Sequence, residues 1–207
     1  MSQNQTPLRI TGHTDTGIRR EYNQDYIDFD QDLAIAVLAD GMGGHNAGEV
    51  AAQMAVNFVL KKLQKNASQE TSVSITSSQL LEYLSTTISE SNAEIFKASE
   101  EEEDYKGMGT TLVAAMIVET QLYVGHVGDS RLYLYRDRTL RRVTKDHSLV
   151  QDLIDRGFYT EREARNASVG NVVTRALGTR PEVEVDTIGV KLEQYDLLML
   201  CSDGLTD

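Results

Sequence analysis

The chain has 207 residues, 40% hydrophobic and 25% charged, which is enough for one soluble domain with a real core. Its formal net charge of −12 argues against nucleic acid or an anionic membrane as a main partner, because both reward a basic surface. No apolar stretch has the length of a bilayer span, and the polar start MSQNQTPLRI has no signal-peptide core, so a cytoplasmic protein is expected.

In chain order, residues 8–15 (LRITGHTD) and 33–39 read as strands. The segment AGEVAAQMAVNFVLKKLQKN follows a glycine-rich turn and reads as a helix. Val50, Met54 and Phe58 share one stripe of it, with Ala47, Ala51 and Ala55 beside them. Residues 66–76 form a polar connector. A second helix starts near Ser77 or Ser78, with a serine cap and Leu81, Leu84, Ile88 and Ile95 as its buried stripe. The acidic run Glu100–Asp104 is a solvated helix end or loop. The runs TTLVAAMIVET, QLYVGHVGD, SRLYLYRD and TLRRVTKD follow, too tightly connected for crossover helices, so antiparallel pairing is expected. Residues 148–178 read as helical and irregular, with SLVQDLIDRG a short helix ending at Gly157. Strands around 183–190 and 196–201 complete an α+β pattern with antiparallel sheets.

Three apolar runs end in an aspartate beside a glycine. LAIAVLADGMGG ends at Asp40, QLYVGHVGDSR at Asp129 and YDLLMLCSDG at Asp203. A carboxylate at a strand end is held rigidly while pointing out of the core, and glycine lets backbone or ligand come close. Three such groups brought together would suit hard divalent cations. Taken singly, each has a plainer reading: a glycine-rich strand-to-helix turn at Asp40, an Asx-turn at Asp129 and a structural strand end at Asp203. Asp203 and Asp207 would share a face if a helix begins between them. Arg20, five residues before Asp25, is a candidate phosphate fork with a carboxylate near enough to order water.

Other chemistries fit less well. GMGGHNAG misses the dinucleotide spacing, an aspartate before its first glycine would repel a pyrophosphate, and no G-K-[ST] occurs. His13, His45, His126, His147 and the single Cys201 lack zinc-ligand spacing. Cys201 lies in an apolar run with no adjacent base, as an inert buried thiol would.

The stretches RREYNQD, ADGMGGHNAGE, GMGTTLVAA, VGHVGDSRLYLYR, TKDHS, VVTRALG and CSDGLTD cover nearly the whole chain. As an ordered set they resemble the metal-dependent protein phosphatase 2C (PPM) family, in its bacterial serine/threonine branch. The resemblance implies a four-layer α-β-β-α sandwich: two antiparallel sheets flanked by helix pairs, forming one catalytic domain over residues 1–207 with a flap at 148–178. It implies hydrolysis of phosphoserine and phosphothreonine monoesters by direct attack of a metal-bridging water, with Mn²⁺ or Mg²⁺ as cofactor. Asp40 would bridge two metals, Gly41 would bind one through its carbonyl, and Asp203 would ligate the other. Asp129, Asp203 and Asp207 would form a weaker third site. Arg20 would bind the substrate phosphate, and Asp25 would act through metal-bound water. Substrates of a bacterial serine/threonine kinase are the implied partners.

The chain also departs from the family pattern. Met42 stands where some relatives carry a general-acid histidine, and His45 is the nearest substitute beside the phosphate. Gln24 replaces an acid. Family members continue past the position of Asp207 to an Asp–Asn motif that supplies a further ligand, so an incomplete domain with impaired activity is expected. The alternative is a non-catalytic, phosphatase-like regulatory or binding domain.

Overall fold

The computed structural model describes residues 8–18, 20–43, 47–69, 75–164 and 172–206. The elements run β1 (Asp25–Asp30), β2 (Ile35–Met42), α1 (Ala47–Gln69), α2 (Ser77–Glu101), β3 (Gly109–Thr110), β4 (Leu112–Val118), β5 (Gln121–Val127), β6 (Arg131–Arg136), β7 (Thr139–Arg142), α3 (Leu149–Asp155), α4 (Glu161–Ala164), β8 (Asp186–Lys191) and β9 (Leu197–Cys201). They build two antiparallel sheets. The larger has the order β1-β2-β4-β5-β8, with β3 also on β2, and the smaller has the order β7-β6-β9.

The two long helices cover one face of the larger sheet. Leu84, Ile88 and Ile95 of α2 are fully buried there with Ala51, Ala55, Val56 and Val59 of α1. The opposite face meets the smaller sheet, where Leu38, Val113, Ala115, Leu122 and Val124 pack with Leu132. The architecture is thus α+β: two antiparallel sheets face to face, with helices flanking. The outer face of the smaller sheet carries exposed Tyr135, Leu140, Leu197 and Met199. Among the described residues no helix is long and apolar enough to cross a membrane.

Several sequence expectations shift. Residues 8–15 form no strand. Their backbone is served by a side chain instead: Ile10 N–H donates to Gln31 Oε1 at 2.8 Å, and Gln31 Nε2 donates to the Leu8 carbonyl at 2.8 Å. The strand beside β2 is Asp25–Asp30. In α1 the buried stripe is Ala51, Ala52, Ala55, Val56 and Val59, while Val50, Met54 and Phe58 are only partly covered. Small side chains let the helix sit close to β2, and that closeness buries more than size does. The cap of α2 is Thr76, in a reciprocal capping box with Gln79, and Leu80 is buried more deeply than Leu81. Strands β5 and β6 do not pair. The turn between them carries the chain from one sheet to the other, so Asp129 lies between sheets and not at the tip of a hairpin.

Candidate metal centre

The β1–β2 register sets Asp25 directly opposite Asp40. Like charges facing across a ladder are destabilising, so a sheet built this way needs a compensating reason. The backbone of Asp40 is fixed from the next strand. Its N–H donates to Thr111 Oγ1 at 3.0 Å, and its carbonyl accepts from Thr111 N–H at 2.9 Å and from Thr110 Oγ1 at 2.9 Å. Thr111 Oγ1 also bonds Ser130 Oγ at 2.7 Å, with both residues almost fully buried, which draws the Asp129 turn alongside. From the end of β9, Ser202 Oγ donates to Asp25 Oδ2 at 2.6 Å and so brings Asp203 to the same place. Asp203 opens a single 3-10 turn, Asp203–Leu205.

Four carboxylates therefore converge from β1, β2 and the ends of β5 and β9. Burial pushes the Asp40 carboxyl up to about 8, helped by Asp25, Asp203 and Asp129. Asp203 is close enough to Asp40 to add to that rise. Asp129 is pushed up to about 6, first by burial and then by Asp203. None of the four takes part in an ion pair among the described residues. A largely buried acidic cluster in which no carboxylate has an ion-pair partner among the described residues fits hard divalent cations.

Gly41 closes the cluster on the helix side. Its N–H donates to the Gln24 carbonyl at 3.0 Å, and a Cβ there would run into the carbonyl of Gly48 at the start of α1. A glycine is thus required at this position by close packing alone. Arg20 is exposed and lines an open cleft of about 340 Å³ with Glu21, Tyr22, Gln24 and Gly43. His45 and Asp207 lie outside the described residues. Cys201 is buried, and burial raises its thiol pKa, which disfavours a thiolate nucleophile.

A second polar group lies behind the acidic cluster and was not singled out residue by residue from the sequence. His126, His147 and Asp186 bring ligand-type atoms within 4.8 Å of one another. The place of a cation is already filled, however. Arg175 Nη1 donates to Asp186 Oδ1 at 2.7 Å and lies 3.1 Å from His147 Nε2. His147 Nδ1 accepts from Gly128 N–H at 3.0 Å, which leaves the ring proton on Nε2, facing Asp186. His126 is bonded through Nε2 to the Lys145 carbonyl at 2.8 Å. Burial lowers the pKa of both histidines, with Arg175 acting in the same direction. TKDHS holds His147 and VVTRALG holds Arg175, but nothing in their spacing shows that the two meet.

A model of the protein phosphatase 2C family matches residues 11–207. The chain is 44% identical over 197 residues to serine/threonine phosphatase stp of Listeria monocytogenes, covering 94% of this chain and 76% of that protein. It is 37% identical over 203 residues to protein phosphatase PhpP of Streptococcus pneumoniae, covering 97% of this chain and 80% of that one. Among solved structures, the Mycobacterium tuberculosis serine/threonine phosphatase PstP/Ppp is similar with a TM-score of 0.82 and 37% identity, over 94% of this chain and 78% of that one. A structure of the PstP catalytic domain in complex with 2 manganese ions is similar with a TM-score of 0.77 and 37% identity, over 94% of this chain and 76% of that one.

Proposed function

The chain belongs to the protein phosphatase 2C family, and from that premise we propose that Asp40, Asp203, Asp129 and Asp25 hold divalent cations for the hydrolysis of phosphoserine and phosphothreonine in proteins. It is a metal-dependent serine/threonine phosphatase, as its family and its relatives' names indicate. The cofactor is Mn²⁺ or Mg²⁺, two ions, and our reading adds a third, weaker site at Asp129. The observation that carries the residue assignment is the convergence of four carboxylates with no ion-pair partner among the described residues, with Asp25 set opposite Asp40.

Cations bound there supply a water of lowered pKa and neutralise the phosphoryl oxygens. The rest falls to the chain. Asp40 feels each of the other three carboxylates and would serve as a shared ligand, with its main chain locked by Thr110 and Thr111. Asp203 approaches from the other sheet, and Asp129 enters from the turn between sheets to complete the weaker site. Ser202 holds Asp25 in place with its hydroxyl. Gly41 lets the helix start close over the site and offers its carbonyl. Arg20, at the rim of the cleft, binds the phosphate of the substrate, where a bidentate fork suits a dianion. His45 and Asp207 remain candidates for phosphate and metal, and residues 148–178 for a flap within a single catalytic domain. The natural substrates are phosphoproteins, which we assign to a bacterial serine/threonine kinase in the cytoplasm.

The test is calorimetric titration with Mn²⁺ alongside hydrolysis of a phosphothreonine peptide. Wild type binds Mn²⁺ and turns over, while Asp203→Ala loses both. Full activity of Asp203→Ala at saturating Mn²⁺ overturns the assignment.

A further inference from the structure

The carboxylate of Asp129 is useful only if its turn is held still, and that turn belongs to neither sheet. Gly128 sits at φ +102, a backbone state that favours glycine, and the Thr111 side chain fills the space a Cβ would need. The backbone of Gly128 is satisfied by one residue far along the chain. Gly128 N–H donates to His147 Nδ1 at 3.0 Å, and His147 N–H donates to the Gly128 carbonyl at 2.9 Å. A side chain and a main chain from His147 thus close a two-bond clasp directly beside Asp129.

The clasp works only with an unprotonated Nδ1, and the surroundings enforce that. Nε2 faces Asp186 Oδ2 at 3.3 Å, a carboxylate that accepts a hydrogen bond from the ring N–H on that side. Arg175 pins this carboxylate at 2.7 Å. The ring stacks on His126 with centroids 4.7 Å apart and an interplanar angle of 19°, so it cannot swing away without unstacking. The His147 carbonyl accepts from Thr174 N–H at 2.8 Å, which anchors the residue from the opposite side. His147 is 7% exposed, so water is a poor replacement for the lost bond.

We propose that His147 is a positioning residue of the cation site: its Nδ1 grips the Gly128 amide and aims the Asp129 carboxylate into the mouth shared with Asp40 and Asp203, while Asp186, itself held by Arg175, accepts from the ring on its Nε2 side. This rests on the reading of Asp129 as a cation ligand. It is the arrangement known from metal sites in which an outer group orients the ligand and sets affinity without touching the ion.

The experiment compares His147→Leu with His147→Asn. Asparagine places an acceptor near the position of Nδ1, and leucine fills similar space without one. Hydrogen exchange at the Gly128 amide is read in the metal-free protein, and phosphopeptide hydrolysis is followed against Mn²⁺ concentration. His147→Leu is expected to speed exchange at Gly128 and to raise the Mn²⁺ concentration for half-activity by about tenfold, with much of kcat recovered at saturation. His147→Asn should recover most of both losses. In an Asp129→Ala background the leucine substitution should add no further Mn²⁺ dependence. Should His147→Leu fold poorly, Asp186→Asn, at a part-exposed position, is the milder probe and shifts both readouts in the same direction by a smaller factor. Unchanged Gly128 exchange in His147→Leu, equal losses in the leucine and asparagine variants, or a full leucine effect without Asp129 each overturn the inference. An Asp129→Ala protein with unaltered Mn²⁺ dependence overturns the cation role of Asp129 and, with it, that of His147, even if Gly128 exchange responds as expected.

Discussion

Two acidic regions of this molecule lie side by side and obey opposite rules. In the network behind the site every acid has a base. Asp146 takes Arg131 at 2.8 Å and Arg142 at 3.0 Å, and Asp186 takes Arg175 at 2.7 Å. In the mouth, Asp25, Asp40, Asp129 and Asp203 crowd together with no ion pair among the described residues, and burial with mutual repulsion lifts Asp40 to about 8. The first region is finished when the chain folds. On the proposed function the second is completed by a ligand of opposite charge, and without one its crowded carboxylates cost stability. This contrast separates a structural ion network from a candidate functional one more sharply than the presence of charged residues does.

The contrast can be broken at four points. Asp40→Asn should cost activity on the order of 1000-fold, because the shared ligand for transition-state charge is gone, as measured by kcat/KM on a phosphothreonine peptide. Asp146→Ala acts on the other region and should cost about 3 kcal/mol in urea unfolding, because Arg131 and Arg142 lose a partner that is 7% exposed. It should leave Mn²⁺ binding in place.

The third prediction concerns pH. Asp40 and Asp129 are raised from 3.8 to about 8 and about 6, so above pH 4 the metal-free native state keeps protons that the unfolded chain has shed. Stability is therefore fully present below that pH and is lost as pH rises toward 8. The melting temperature of the metal-free protein at pH 5 should exceed that at pH 8 by roughly 5 °C. Asp186 and Asp196, held below the ordinary carboxylate range by hydrogen bonds from Arg175 and Arg136 despite the opposing pull of burial, lose their contribution only on the acid side of pH 4. The mildest effect is expected at the rim. Arg20→Ala should raise KM by about tenfold and leave the Mn²⁺ titration unchanged. A change in metal affinity instead would place Arg20 in the wrong role.

The aspartate–glycine strand ends were legible because an apolar run that stops at a carboxylate shows where the core ends. Asp40 and Asp203 needed no tertiary information to be noticed. The antiparallel pairing of β4 with β5 followed from a connection too short for a helix. Other features depend on what a segment packs against. The alanine face of α1 is invisible to a search for large apolar side chains, yet it is the face that reaches β2. The strand at Asp25–Asp30 is hard to read from sequence because DYIDFD carries three aspartates and little alternation. The sheet switch at Gly128 looks like a hairpin turn in the sequence, since only the pairing of β6 with β7 and β9 shows that β5 is left behind. His147 and Arg175 are separated by 28 residues, and no local pattern relates them.

Thermal melting of the wild type and Asp40→Asn at pH 8, with and without millimolar Mn²⁺, tests most directly whether the acidic mouth awaits a cation. The wild type should melt lower than the variant without metal and gain a clear rise with Mn²⁺, while the variant gains little. A variant that melts below the wild type without metal and keeps the full Mn²⁺ rise would contradict the account.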